Sequence, residues 1–172
     1  MIEVPKTSEL STYYQSYLKY VNPGDDLLHL IKNQKGEMAQ FLASIPEDKA
    51  TIAYAPGKWM LKEVVGHVCD TERIMSYRSL RIARKDRTPL PGFDENTYMT
   101  ASNYRSRSLK NIAEELRTVR EATITLIENF SPEMIDLAGI ANENEISVRA
   151  NLYMIFVHAQ HHMAIIKERY LA

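Results

Sequence analysis

The chain has 172 residues, 45% of them hydrophobic and 25% charged, with a formal net charge of −1. That length suits one domain over residues 1–172, and the balanced charge gives no reason to expect nucleic acid or an anionic membrane surface as a partner. The single cysteine, Cys69, excludes an intrachain disulfide; no apolar run reaches the ~20 residues of a membrane span, and Met1 to Lys6 does not read as a secretory leader, so a cytoplasmic setting is expected.

Helix-period patterns run through almost the whole chain. Ser8 to Tyr20 reads as a short helix with Leu10, Tyr13, Tyr14, Tyr17 and Val21 on one side, closed by Asn22-Pro23-Gly24. The first long helix is expected from about Asp25 to Ile45, with Leu28, Ile31, Met38, Phe41 and Leu42 on one stripe, and Pro46 stops it. Ala55-Pro56-Gly57-Lys58 reads as a turn. The second long helix is expected from about Met60 to Ala83, with Val64, Val68, Ile74, Met75 and Ile82 on its apolar face. Ser108 is a suitable N-cap for the third, which ends at Ser131-Pro132. Ser147 caps the fourth, which runs to about Tyr170. Strand-type alternation is missing, apart from short ambiguous runs near Leu137 to Ile146.

Four amphipathic helices with short connections predict an all-α four-helix bundle. The one long connection, Lys85 to Ser106, lies between the second and third helices. Loops of that length are uncommon unless functional. A long crossover lets those two helices run parallel, in an up-down-down-up order.

Three of the five histidines, His158, His161 and His162, fall within five residues of the fourth helix, in an otherwise apolar run. Imidazole loses water when buried and needs a partner, and a metal ion is a frequent one. His162 lies ~40° around the helix from His158 and His161 ~60° the other way, so either could share an ion with His158. The i, i+4 pair has the spacing of the histidines in HExxH, although the glutamate of that motif is absent. His67 stands on the apolar face of the second helix, with Thr71 one turn on. A lone histidine there is more often a hydrogen-bonded core residue, but bundles build metal sites from inward-facing side chains of different helices. Three histidines would leave coordination positions open, as in a catalytic site. Cys69 is ~200° around from His67 and reads as packing. Asp70 and Glu63 could reach the edge of such a site, Asp70 as an acceptor for an imidazole or as a base. The commoner state of helical acids is an exposed carboxylate beside a cation such as Arg73 or Lys62. His29 has no companion. The Tyr13-to-Tyr17 cluster suits packing or an oligomer contact. The basic run from Arg78 to Arg87 suits a helix C-terminus and could also attract an anionic substrate.

Tyr54-Ala55-Pro56-Gly57-Lys58-Trp59, Glu63-Val64-Val65-Gly66-His67 and Asp70-Thr71-Glu72-Arg73, followed by Leu90-Pro91-Gly92-Phe93-Asp94-Glu95-Asn96 and His158-Ala159-Gln160-His161-His162, resemble the ordered signatures of the DinB-like (YfiT-like) superfamily. The resemblance implies an up-down-down-up four-helix bundle, often a homodimer, with a divalent metal ion, nickel or zinc, on His67, His158 and His162. It leaves His161 a bystander. Members are labelled metal-dependent hydrolases, and characterised relatives include transferases acting on low-molecular-weight thiols such as bacillithiol, mycothiol or glutathione. Met60 departs from the pattern, which often has Ser or Thr there, and so removes an expected N-cap of the second helix. The function expected is therefore a metal-dependent enzyme, a thiol-dependent S-transferase or a hydrolase with a small-molecule substrate. The alternatives are a non-catalytic metal-binding or stress-response protein and a helical interaction protein without metal.

Overall fold

The computed structural model describes residues 1–10 and 12–172, the side chain of Tyr13 excepted; that tyrosine's expected place on an apolar face lies outside the described residues. The expected N-terminal helix is instead broken into a 3₁₀ turn at Thr7–Glu9, one helical turn, α1 (Thr12–Gln15), and a 3₁₀ segment at Ser16–Tyr20. The four long helices are α2 (Leu27–Ala43), α3 (Leu61–Ala83), α5 (Leu109–Glu128) and α7 (Val148–Ile165), the last continued by a π-helical turn over Ile166–Tyr170. Between them lie α4 (Glu95–Ala101), α6 (Pro132–Ile135) and a hairpin of β1 (Ala138–Ala141) and β2 (Asn144–Ser147).

The caps follow the sequence. Asp26, Ser108 and Ser147 accept from the backbone N–H three residues on, at the starts of α2, α5 and α7. At α3 the missing Ser or Thr is replaced from the other side. The Glu63 carboxylate accepts the Met60 N–H at 2.8 Å and also holds Arg105 at 2.6 Å, which ties α3 to the crossover.

Cross-helix pairs give the directions. Lys32 meets Glu128 and Lys35 meets Glu121, so α2 and α5 are antiparallel. Glu72 meets Arg120 and Ser76 meets Thr123, so α3 and α5 are parallel. Asn151 bonds to Ser79 while His158 meets His67, so α3 and α7 are antiparallel. Gln34 reaches Phe156 and Phe41 meets Lys167, so α2 and α7 are parallel. The order is up-down-down-up, with Lys85 to Ser108 as the long crossover.

The core is two apolar clusters rather than one. Leu27, Ile31, Met75, Ile82, Ile124, Ile127 and Leu152 belong to one; Met38, Leu42, Val64, Val68, Leu109, Leu116 and Met163 belong to the other. A polar belt separates them. The Arg120 guanidinium, fully buried, donates in a fork to both Glu72 carboxylate oxygens at 2.8–3.0 Å and to Gln34 Oε1 at 2.5 Å. Gln34 Nε2 donates onward to the Phe156 carbonyl and to Gln160 Oε1, each at 3.0 Å. The belt thus links all four long helices.

The ambiguous run near Leu137 to Ile146 is a hairpin, a small two-stranded sheet within an otherwise helical fold. Asn142 and Glu143 at its tip have φ of 51° and 64°, as a two-residue turn between twisted strands requires. The crossover pairs with it. The Leu90 N–H donates to the Ile140 carbonyl at 2.9 Å, and the Asn142 N–H donates to the Leu90 carbonyl at 3.0 Å. No helix is long and apolar enough to cross a membrane among the described residues.

Candidate metal centre

His67 comes from the middle of α3; His158 and His162 come from successive turns of α7, which packs antiparallel against it. Their Nε2 atoms converge, with His158 Nε2 3.1 Å from that of His67 and 3.1 Å from that of His162. One nitrogen from each ring lies within 4.8 Å of the other two. An imidazole Nε2 carries either one lone pair or one N–H, so two equally short contacts to His158 cannot both be good hydrogen bonds. A cation among the three nitrogens would satisfy all of them at once. The His162 Nδ1 is buried without a hydrogen-bond partner among the described residues. Thr71 Oγ1 stands 3.5 Å from the His67 Nδ1, and the Trp59 ring lies against His67 with centroids 5.0 Å apart.

All three rings are held neutral. Burial lowers His67 to about 4, against a smaller upward pull from the Glu95 carboxylate. Burial, then His67 and His161, lowers His162 to about 3. His158 is pushed well below its ordinary value by burial and then by the neighbouring imidazoles. Neutral imidazoles present lone pairs, which is the state a metal requires.

The histidines open into a cavity of about 490 Å³. Trp59, Met75, Phe93 and Met154 give it apolar walls, Tyr14 and Tyr17 come from the N-terminal segment, and Asn142 and Asn144 come from the hairpin. Glu95 is the carboxylate lining it among the described residues, and Glu145 lines a narrow side extension. Arg78 stands on the same face of α3 as His67, Thr71 and Met75 and donates to the Pro91 carbonyl at 2.6 Å.

The other candidates are placed elsewhere. Asp70 accepts from Tyr104 Oη at 2.8 Å and lines a separate cleft with Arg73, Arg107 and Glu115, so it is not among the groups at the histidines. Glu63 is occupied as the cap of α3. Cys69 is buried, accepts from Arg73 at 3.3 Å, and is pushed up to about 12 by burial, which leaves an inert thiol. His161 lines the cavity but turns to the N-terminal segment, 3.3 Å from Tyr20 Oη and edge-on to Tyr17 at 5.0 Å. His29 pairs with Asn33 on the surface of α2. The long connection, expected to wall a pocket, supplies Phe93 and Glu95, whereas sequence reasoning did not single out Trp59, Asn142 or Asn144 as cavity residues. They arrive from connections whose docking no local pattern announces. The spacing of His67, Thr71, Met75 and Arg78 was a usable signal, because steps of four, four and three residues keep one helix face.

The sequence model of the DinB superfamily matches residues 30–166. A protein of Oceanobacillus iheyensis, named as a candidate metal-dependent hydrolase, is 24% identical over 142 residues, which span 81% of this chain and 81% of that protein. YfiT from Bacillus subtilis, described as a candidate metal-dependent hydrolase with an unusual four-helix bundle topology, superposes with a TM-score of 0.76 at 14% identity, over 96% of this chain and 91% of that one. The mycothiol-dependent maleylpyruvate isomerase superposes with a TM-score of 0.67 at 10% identity, over 90% of this chain and 62% of its own longer one. At such identities the structural likeness shows a shared fold. The match of the family model across the four long helices carries more: the chain belongs to the DinB superfamily.

Proposed function

We propose that His67, His158 and His162 hold one divalent metal ion, nickel or zinc, and that the protein is a metal-dependent enzyme acting on a small molecule, as a thiol-dependent S-transferase or a hydrolase. The observation that carries this reading is the convergence of three neutral imidazole nitrogens at the floor of a cavity. Three protein ligands leave positions open toward that cavity. Such an ion, when bound, supplies a Lewis acid that makes a thiol or water nucleophilic near neutral pH. The names of the relatives support the hydrolase and thiol-dependent alternatives alike.

The chain's own residues supply the remainder. Trp59 packs on His67 and fixes its ring plane. Thr71 at the His67 Nδ1 sets which nitrogen faces the others. Trp59, Phe93 and Met154 give the cavity apolar walls. Glu95, which lines the cavity, would be the proton acceptor there. The family resemblance carries a homodimer into this reading, and the composition carries a cytoplasmic setting.

Elemental analysis of protein purified without an affinity tag tests the metal, with about one equivalent expected. His162→Ala is expected to lose it. Turnover of metal-loaded protein is then measured with bacillithiol, mycothiol or glutathione and an electrophile, and with model esters and amides. Full turnover by a metal-free His162→Ala variant would sink the mechanism. Metal-dependent stabilisation without turnover would favour the non-catalytic alternative.

A further inference from the structure

Two arginines of this chain are buried, and they are not treated alike. Arg120 has its carboxylate, Glu72, in a forked pair. Arg78, only 6% exposed, has no carboxylate within 4.0 Å among the described residues. Among the described residues it donates to a neutral carbonyl, that of Pro91. Burial lowers its hold on its proton and only the Tyr14 phenol opposes this, so no acid answers the charge. A buried guanidinium without a counter-ion is costly, and an anion that reached it would recover much of that cost.

Arg78 lines the same cavity as the three histidines, eleven residues further along α3, or about 16 Å along the helix axis. Apolar Met75 and Met154 lie between, and the Asn142 and Asn144 amides stand on the Arg78 side, where a narrow extension of the cavity touches them and the exposed Glu145. Glu95 belongs to the other end, where its field reaches His67. The histidines and Glu95 thus stand at one end of the cavity and the buried Arg78 at the other, where the exposed Glu145 lines the extension but does not come within 4.0 Å of the guanidinium.

We infer that Arg78 is the anion-anchoring residue of this cavity, and that the small-molecule substrate carries a carboxylate at the end remote from the histidines. A single fixed positive charge balances a carboxylate monoanion. A phosphate dianion would leave surplus negative charge in a buried site. This rests on the reading of the cavity as the active site, but not on the metal.

Trp59, the sole tryptophan, lines the cavity and reports occupancy by its fluorescence. Metal-free and zinc-loaded protein are titrated with 4-phenylbutyrate, with the neutral isostere 4-phenylbutanamide, and with 3-phenylpropyl phosphate. The acid is expected to bind about tenfold or more tighter than the amide in both preparations, the scale of one charge-assisted bond, and Arg78→Gln is expected to reduce that ratio to within about twofold. Arg78→Lys should keep part of it. An equal affinity for acid and amide in the wild type, or a ratio that survives Arg78→Gln, overturns the assignment. A phosphate bound about tenfold tighter than the acid overturns the carboxylate class. Should Arg78→Gln not fold, the Nε–H resonance of Arg78 in the wild type decides: a shift with acid and not with amide supports the anchor, and no shift overturns it. Failure of the metal reading would show separately, as absent zinc uptake with the acid preference intact.

Discussion

His158, at the centre of its trio, has two like neighbours and no acid, so protonating any of the three rings puts a charge in a dry site beside two others. The consequence for stability has a definite sign. Folding lowers His67 to about 4 and His162 to about 3, below the ordinary 6.5. Between those values the unfolded chain binds more protons than the folded one, so stability is full above about pH 6.5 and falls as the pH falls through that window. The thermal midpoint of metal-free protein is expected to drop clearly from pH 7.5 to pH 5; a flat profile would contradict the placement of these rings. The trio was legible in the sequence because helical spacing and an apolar setting travel with the residues themselves. Arg78 was read only as one member of a basic run, and the helical step from His67, Thr71 and Met75 is the one local sign that separates it from Arg84 and Arg87, which are exposed. Its burial depends on the Pro91 carbonyl, a contact made by the crossover.

Each long helix contributes one polar residue or turn at the level where its apolar stripe passes from one cluster to the other: Gln34 on α2, Glu72 on α3, Arg120 on α5 and Gln160 on α7. These bonds fix how far the helices slide along one another. They also fix His67 against His158, since Glu72 follows Thr71 and Gln160 lies between His158 and His162. Glu72→Ala strands the Arg120 guanidinium in the interior and is expected to cost about 3–5 kcal/mol in denaturant unfolding, with weakened metal uptake as the accompanying sign of lost register. Polar residues at isolated core positions have no periodic signature, so the sequence shows four stripes and not the belt that cuts them. The hairpin escaped for a related reason. Its turn is Asn142-Glu143 rather than Asn-Gly, and Ala138-Gly139-Ile140-Ala141 has little alternation. Only its docking against Leu90 makes it a strand pair.

At the scale of the molecule, the up-down-down-up order followed from the length of the crossover, and cross-helix pairs bear it out. The same order sets α3 beside α7, so all three histidines come from one antiparallel pair while α2 and α5 supply none. An ion bound there would pin that pair. At a free metal concentration near 100 times Kd, binding contributes about 2.7 kcal/mol, which for a chain of this size raises the thermal midpoint by roughly 5–10 °C. Scanning calorimetry with zinc or nickel and after chelation measures it, and an unmoved midpoint would count against a formed site.

The opposite seam is held differently. Between α2 and α5 the exposed contacts include the ion pairs Lys32 to Glu128 and Lys35 to Glu121, while Arg117 pairs with Glu114 and Glu121 along α5 itself. Exposed pairs of that kind are screened by salt, whereas coordination of an ion by neutral imidazoles would be nearly indifferent to it. The bundle thus answers to two separate reagents on its two sides. With an ion on the histidines, concentrated electrolyte would weaken the surface ties between α2 and α5, and a chelator would withdraw the tie between α3 and α7, each without touching the other.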